Sequence, residues 1–330
     1  MSVDERLENH YGAVLDRLVD GKVTPFLGAG VNHAVPGRPK DVPWKHGELL
    51  PSGAELAEEL AKEFKYPGYP FKPGDTPDLL RIAQYASVAE DPGELYDQLR
   101  KLFNADYPPT SVHEFFARLP RALEAKGHPR RNLLIVTTNY DDALERAFEA
   151  EDEECDVVWY MADGPNRGKF WLWENWPQGE PEPIEDPVQC VDVATDRRTV
   201  ILKIHGAVDR KEQERDSFVI TEDHYIDYLT RTELSRVPVM LAKTLRTTSF
   251  LFLGYSLSDW NMRAFMHRIW AERTVKRMSW SLQFDATDIE KTFWSRRDVE
   301  LHNVSLIDYI LELDRRLAAR EPLEAPPVAT

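Results

Sequence analysis

Cysteine is scarce in this sequence, because the 330 residues contain only Cys155 and Cys190. Two thiols are too few for a disulfide framework or for a zinc site with four thiolate ligands. The histidines show no mutual spacing typical of metal ligands. We therefore expect no bound metal, and the low cysteine content is typical of a protein of the reducing cytoplasm.

Long hydrophobic runs are missing as well. No segment approaches the roughly 20 apolar residues that a helix needs to span a bilayer. The acidic and polar start, MSVDERLENH, is unlike a secretory signal. These two absences predict a cytoplasmic protein that does not contact membranes.

Positive charge is in deficit, because 41 lysines and arginines stand against 57 aspartates and glutamates, for a net charge of −16. Proteins bind nucleic-acid phosphates with basic surfaces, so direct binding of nucleic acid is not expected. A chain of this length can bury a substantial core, as one large α/β domain or as a domain that carries insertions.

The segment VTPFLGAGVN, residues 23–32, joins an apolar run to a Gly-Ala-Gly turn and a position where a helix can begin. Such a turn presents backbone N–H groups and a positive helix end, which suit the phosphates of a nucleotide. The dinucleotide fingerprint of dehydrogenases needs a third glycine where this sequence has His33. We predict a phosphate-binding turn in which a Cβ on Gly30 blocks the ligand with little loss of folding. A purely structural turn is the alternative.

Further apolar runs predict a parallel sheet that is covered on both faces. The segments NLLIVTTNY, TVILKIHG and SFLFLGYS each end in polar residues or glycine. Because ligands of open parallel sheets bind at the carboxyl ends of the strands, we expect these clusters to meet in one site. The sequence therefore predicts a Rossmann-like α/β fold, with a parallel sheet flanked by helices.

The domain organisation follows from the spacing of these strands. Four amphipathic helical patterns separate the first strand from the second, which predicts an inserted helical subdomain at residues 49–125. Aromatic strands on both sides of the turn DGPNRG predict a β-hairpin within a second insertion at residues 151–198. Residues 1–318 are then one domain, and residues 319–330 are predicted to be a disordered tail.

Each candidate polar residue also has a plainer structural interpretation. Asn139 could cap the helix predicted for DDALERAFEA, and Asp259 could cap the helix predicted for WNMRAFMHRIW. His205 could be a hydrogen-bonded core histidine. The tryptophans of the hairpin more commonly pack than bind a ligand.

Taken together, the motifs resemble those of the sirtuin superfamily in order and spacing. The matching segments are Gly28-Ala29-Gly30-Val31-Asn32, Thr138-Asn139-Tyr140-Asp141, His205-Gly206 and Gly254-Tyr255-Ser256-Leu257. The resemblance is particularly to the sirtuin-like NAD-hydrolase domains of bacterial anti-phage defence systems. Sirtuin deacylases carry a four-cysteine zinc module after the catalytic histidine, whereas no cysteine follows His205 here. A zinc-dependent deacylase is therefore excluded.

The resemblance implies NAD as the substrate and assigns a role to each motif. It implies that Asn139 and His205 are catalytic and that Asp141 holds the nicotinamide amide. The remaining NAD-binding positions that it implies are Gly28, Ala29, Gly30 and Asn32 near the phosphates and ribose, Thr138, and Gly254, Ser256 and Asp259 near the adenosine half.

The chemistry of these residue types agrees with cleavage of NAD⁺. Nicotinamide leaves as a neutral molecule, so the reaction needs no acid–base pair of carboxylates of the kind that glycosidases use. An asparagine amide can orient the attacking water or a ribose hydroxyl, and a histidine can accept a proton. We expect an NAD⁺ glycohydrolase that forms nicotinamide and ADP-ribose and depletes NAD⁺ during abortive infection.

The resemblance also implies partners. Chains of this family resemble subunits of larger assemblies, so a homo-oligomer and a HerA-type ATPase or another trigger protein are expected. Two alternatives stay open: a non-catalytic module that binds NAD or ADP-ribose and regulates a partner, and a nuclease subunit that works with a DNA-translocating ATPase.

Overall fold

The computed structural model describes residues 3–35, 44–72, 74–231, 236–256, 260–273, 277–283 and 286–322. Within these ranges the strands are β1 (Val23–Leu27), β2 (Leu134–Thr137), β3 (Cys155–Tyr160), β4 (Phe170–Trp176), β5 (Glu182–Pro183), β6 (Thr199–Lys203), β7 (Ser249–Leu253), β8 (Ser279–Leu282) and β9 (Val299–His302). They form one sheet in the order β5-β4-β3-β6-β2-β1-β7-β8-β9.

The direction of the strands confirms the predicted Rossmann-like α/β fold. From β3 to β9 every neighbouring pair is parallel, and β4 and β5 extend the β3 edge in antiparallel register. The chain builds β2, β6 and β3 on one side of β1 and then returns to place β7 on the other side. The strand order therefore reverses at β1, and the crevice for a ligand lies at its carboxyl end.

The helices are α1 (Val3–Val19), α2 (Gly53–Glu63), α3 (Leu79–Ala89), α4 (Pro92–Phe103), α5 (Ser111–Glu124), α6 (Ala143–Ala150), α7 (Glu222–Arg231), α8 (Val239–Thr247), α9 (Trp260–Ala271), α10 (Asp288–Ser295) and α11 (Leu306–Ala319). No helix of the described part of the chain is long and apolar enough to cross a bilayer.

The central strands are buried along their whole length, as their continuous apolar sequences predict. Alternate residues contribute to two different cores, because successive side chains of a strand point to opposite faces. Leu27 and Ile135 pack with residues of α1, α5, α6 and α11 on one face. Phe26 and Val136 pack with residues of α8 and α9 on the other face.

The predicted helices between β1 and β2 are confirmed as α2, α3, α4 and α5. Helix α2 begins where Ser52 and Glu55 form a reciprocal capping box, as their spacing of three residues favours. Residues of α2, α3 and α4 form a third apolar core together with Tyr140 and Phe218. Helix α5 instead packs in the core of the main sheet. The inserted helices therefore contact the region that follows β2.

The predicted aromatic hairpin is also present, and its strands belong to the main sheet. Strand β4 pairs antiparallel with β3, and β3 in turn pairs parallel with β6. Trp173 is buried and Trp171 is half-buried against the core of the sheet, so these aromatic rings pack as the plainer interpretation predicts. Residues 323–330 of the predicted tail lie outside the described residues.

Candidate functional site

Two glycine turns meet at the carboxyl ends of the adjacent strands β1 and β7. The Gly28 N–H donates to the Leu253 carbonyl at 3.0 Å, and the Gly30 N–H donates to the Gly254 carbonyl at 2.8 Å. The expectation that these two N–H groups are bare and available to phosphate is therefore wrong. Residues 29–33 form a single 3-10 turn rather than the start of an α-helix, so no long helix dipole acts at this turn.

The space around these glycines explains why a side chain is not tolerated. A Cβ on Gly30 would lie 2.7 Å from the Gly254 carbonyl oxygen and 2.8 Å from its Cα. Gly254 has a φ of +63°, and its own Cβ would lie 2.3 Å from the Val31 nitrogen. A Cβ at Gly30 would thus collide with backbone, which overturns the expectation that it would spare folding and block only the ligand.

A cavity of about 350 Å³ opens beside these turns. Its walls include nine of the predicted positions: Ala29, Gly30, Asn32, Thr138, Asn139, Asp141, His205, Gly254 and Ser256. Gly28 lies behind this wall, in contact with the second turn. The predicted Asp259 lies outside the described residues. The tertiary structure therefore brings together motifs that the sequence places far apart.

Asn139 joins the ends of β1 and β2. Its backbone N–H donates to Thr137 Oγ1 at 3.0 Å, and its side-chain nitrogen donates to the Gly28 carbonyl at 3.4 Å. Helix α6 begins at Ala143 after the cap residue Asp142. Asn139 is therefore not the cap of that helix, and its side chain lies in the cavity wall instead.

Asp141 is buried, and both of its carboxylate oxygens have partners within the protein. Oδ1 accepts from the Ala143 N–H at 3.1 Å, and Oδ2 accepts from Asn32 Nδ2 at 3.3 Å. A carboxylate has no proton to donate, so the Asn32 amide must turn its nitrogen toward Asp141. Asn32 Oδ1 is buried and has no hydrogen-bond partner among the described residues. Such an acceptor suits a hydroxyl or amide donor of a ligand and repels a phosphate oxygen.

A buried ion pair lies beneath the turn after β2. Lys203 Nζ lies 2.7 Å from Glu145 Oε1, and the same ammonium donates to the Asp141 carbonyl. Burial raises the pKa of the Glu145 carboxyl, although the adjacent Lys203 acts in the opposite direction. This pair ties β6 to α6 and to the segment that carries Asn139. Neither residue was singled out from the sequence, because a lone lysine in a strand gives no sign of its partner.

His205 follows β6 and is 5% exposed. Its Nδ1 lies 3.3 Å from the hydroxyl of Tyr225 on α7, and its ring meets the Tyr225 and Tyr228 rings edge-on. The next residue, Gly206, has a φ of +96°, and a Cβ there would lie 2.1 Å from the Ser217 carbonyl oxygen. His205 therefore combines burial with a place in the cavity wall, so it is not simply a core histidine.

The inserted helices supply a part of the cavity that the sequence did not reveal. The wall residues from the inserted segment are Pro51, Ser52, Gly53, Leu56, Leu79 and Phe103, and the wall also includes Tyr140, Tyr225 and Tyr255 from other parts of the chain. The Ser52–Glu55 capping box fixes where α2 begins, but it does not predict which edge of the sheet the helix contacts. Among the described residues, no group of three or more potential metal ligands is found.

Comparison with known proteins agrees with this geometry. Residues 133–302, just over half of the chain, match the family model of the SIR2-like domain. The chain is 27% identical over 269 residues to the NAD(+) hydrolase ThsA of Acinetobacter baumannii (strain 532279). The aligned region covers 79% of this chain and 43% of that protein. The chain thus spans less than half the length of this relative. The matched region contains the strand ends that carry Asn139, His205 and Gly254, and the chain belongs to the SIR2-like family.

Proposed function

We propose that this chain is an NAD⁺ glycohydrolase, in which water cleaves the bond between nicotinamide and ribose to give nicotinamide and ADP-ribose. The observation that carries the proposal is the single cavity that Asn139 and His205 share at the ends of neighbouring strands. Membership of the SIR2-like family supports NAD as the substrate, as does similarity to a protein named an NAD(+) hydrolase.

The reaction needs little acid catalysis, because the pyridinium leaves as neutral nicotinamide. Asn139 orients the attacking water or a ribose hydroxyl with its side-chain amide, which is held near the Gly28 carbonyl. His205 accepts the proton that the water or the hydroxyl gives up and passes it to solvent. One water is consumed, and the products are nicotinamide, ADP-ribose and one proton.

The Asn32–Asp141 pair contributes to substrate binding through Asn32, whereas the resemblance of the motifs implies that Asp141 itself holds the nicotinamide amide. Asp141 fixes the Asn32 amide, and Asn32 Oδ1 accepts a hydrogen bond from a hydroxyl or amide N–H of the substrate. The negatively charged phosphates bind away from this oxygen. Thr138, Ala29 and Ser256 line other parts of the same cavity.

The biological role follows from the resemblance of the motifs. We propose a cytoplasmic effector that depletes NAD⁺ in a prokaryotic anti-phage system and so causes abortive infection. It acts as a homo-oligomer and is triggered by a HerA-type ATPase or another defence protein. Direct contact with nucleic acid is not part of this proposal, since the net charge is −16.

Chromatography of NAD⁺ incubated with the full chain tests the proposal, with and without the product of a neighbouring gene. Nicotinamide and ADP-ribose should appear in equal amounts. Binding of NAD⁺ without turnover in both conditions, unchanged in Asn139→Ala, would instead favour a regulatory binding module. Degradation of added DNA would favour a nuclease.

A further inference from the structure

Helix α7 connects the inserted helices to His205. We propose that Tyr225 is a positioning residue for His205 and that α3 and α4 hold Tyr225 in place by clamping the first turn of α7. The kinetic tests of this inference rest on the proposed function, because they measure NAD⁺ hydrolysis. A spectroscopic test of the His205 ring does not depend on that function.

The contact between Tyr225 and His205 is specific in geometry. The Tyr225 hydroxyl lies 3.3 Å from His205 Nδ1, and the two rings stand at 88° with centroids 5.2 Å apart. Both residues line the cavity. An edge-on ring contact and a hydrogen bond together restrict rotation of the imidazole about both of its side-chain torsions.

Either partner can donate in this hydrogen bond, so its direction and the tautomer of His205 are linked. When the Tyr225 oxygen accepts the Nδ1–H, the imidazole lone pair is on Nε2, and Nε2 is then the nitrogen that takes up the proton. The resulting imidazolium keeps its Nδ1–H directed at Tyr225. Loss of the hydroxyl removes this bias between the two neutral tautomers.

The first turn of α7 is held from two sides, by α3 directly and by α4 through Asp163, which lies between β3 and β4. Gln84 of α3 donates to Asp223 Oδ2 at 2.9 Å and accepts from the Asp223 N–H at 3.0 Å. His224 Nε2 lies 3.0 Å from Asp163 Oδ2, which also accepts from the Tyr96 hydroxyl of α4. The residues immediately before Tyr225 are therefore fixed by groups that do not themselves line the cavity. Movement of α3 or α4 would be transmitted to His205 through α7.

The first experiment measures NAD⁺ hydrolysis by the full chain with Tyr225→Phe. We expect kcat to fall about 10-fold while KM changes less than about 2-fold, because positioning acts on the reacting state more than on binding. Tyr309→Phe is the matched control, since Tyr309 also bonds a histidine, His10 Nε2 at 2.9 Å, away from the cavity. The control should keep the wild-type kcat. An unchanged kcat in Tyr225→Phe would contradict the proposal.

The second experiment tests the clamp with Gln84→Ala. We expect a fall in kcat of about 3-fold, and no further fall when the substitution is added to Tyr225→Phe, because both act through one contact. Arg81→Ala, at an exposed position of the same helix, is the control and should have no effect. Additive losses in the double variant would show that Gln84 acts by another route.

The third experiment observes the imidazole directly by nitrogen NMR of ¹⁵N-histidine-labelled chain, with the His205 signals assigned by their loss in His205→Ala. The wild type should show the tautomer with hydrogen on Nδ1, and Tyr225→Phe should shift the ring toward the other tautomer. This measurement does not depend on turnover. If NAD⁺ is not hydrolysed but the tautomer shifts, the proposed function fails and the positioning role stands. An unchanged tautomer in Tyr225→Phe overturns the role of Tyr225.

Discussion

Two histidine–tyrosine pairs occur in this molecule in different surroundings. His205 and Tyr225 lie at the carboxyl edge of the sheet, with 3.3 Å between Nδ1 and the hydroxyl. His10 of α1 and Tyr309 of α11 lie beside β8 and β9 at one edge of the sheet, with 2.9 Å between Nε2 and the hydroxyl. The two histidines are 5% and 3% exposed, so burial alone does not distinguish them. Of these two pairs, which both lie within the described residues, only the first lines the cavity.

The surroundings of the second pair give it a structural role. The His10 ring lies 3.9 Å from the His302 ring and packs against Trp280 and Tyr309. Burial, and to a smaller extent His302, lowers the pKa of His10 from 6.5 to about 3. His10 is therefore neutral near pH 7 and stays within an aromatic core. The difference teaches that position at the strand ends, rather than the pair itself, places a histidine in the wall of the cavity.

The largest expected effect concerns His205 of the first pair together with Asn139. His205→Ala should lower kcat for NAD⁺ about 1,000-fold, and Asn139→Ala should act similarly, with little change in NAD affinity. Because the two groups serve one step, the double variant should lose about as much as either single variant. The measurement is turnover by the activated assembly together with calorimetric binding. Wild-type rates in both single variants would show that the cavity residues are misassigned.

A second prediction tests the two interlocked glycine turns that form one wall of the cavity. Gly254→Ala should lower the free energy of unfolding by about 3 kcal/mol, because its Cβ would overlap the Val31 nitrogen and its φ is positive. Gly164→Ala is the matched control, since Gly164 has a φ of +72° with nothing within 4 Å of its Cβ. The control should lose about 1 kcal/mol for backbone strain alone. Equal losses in chemical denaturation would mean that the turns are not interlocked.

A third prediction uses the second pair. The unfolded chain protonates His10 below about pH 6.5, whereas the folded chain resists protonation down to about pH 3. Stability should therefore fall as the pH falls through this window, by up to about 1.4 kcal/mol per pH unit for this group. His113, whose pKa burial lowers to about 4, contributes with the same sign. His10→Asn should flatten the pH dependence of the unfolding free energy. A slope equal to that of the wild type would contradict the assignment.

The smallest expected effect is that of metal removal. The His10 and His302 rings lie 3.9 Å apart, but no group of three or more potential metal ligands is found among the described residues. A chelator should therefore leave Tm unchanged. Elemental analysis that finds about one zinc per chain would overturn the expectation.

The sequence by itself determined the main apolar strands, the parallel sheet that they form and the motifs at their ends, whereas the order of the strands is known only from the structure. Continuous apolar runs such as those of β2 and β7 can be satisfied only in a sheet that is covered on both faces. Polar residues that directly follow such runs must lie at one edge, so Asn139 and His205 were expected near one another, and the resemblance to sirtuin motifs assigned their roles.

Only the tertiary structure decided which of these residues touch and what each contact does. Gly30 is a glycine because Gly254 approaches it, and Asp141 in the cavity wall also holds Asn32. Tyr225 reaches His205 from α7, a helix that was not predicted from the sequence. Local patterns depend on neighbours along the chain, whereas hydrogen bonds and close backbone contacts depend on segments that come together only when the whole sheet is assembled.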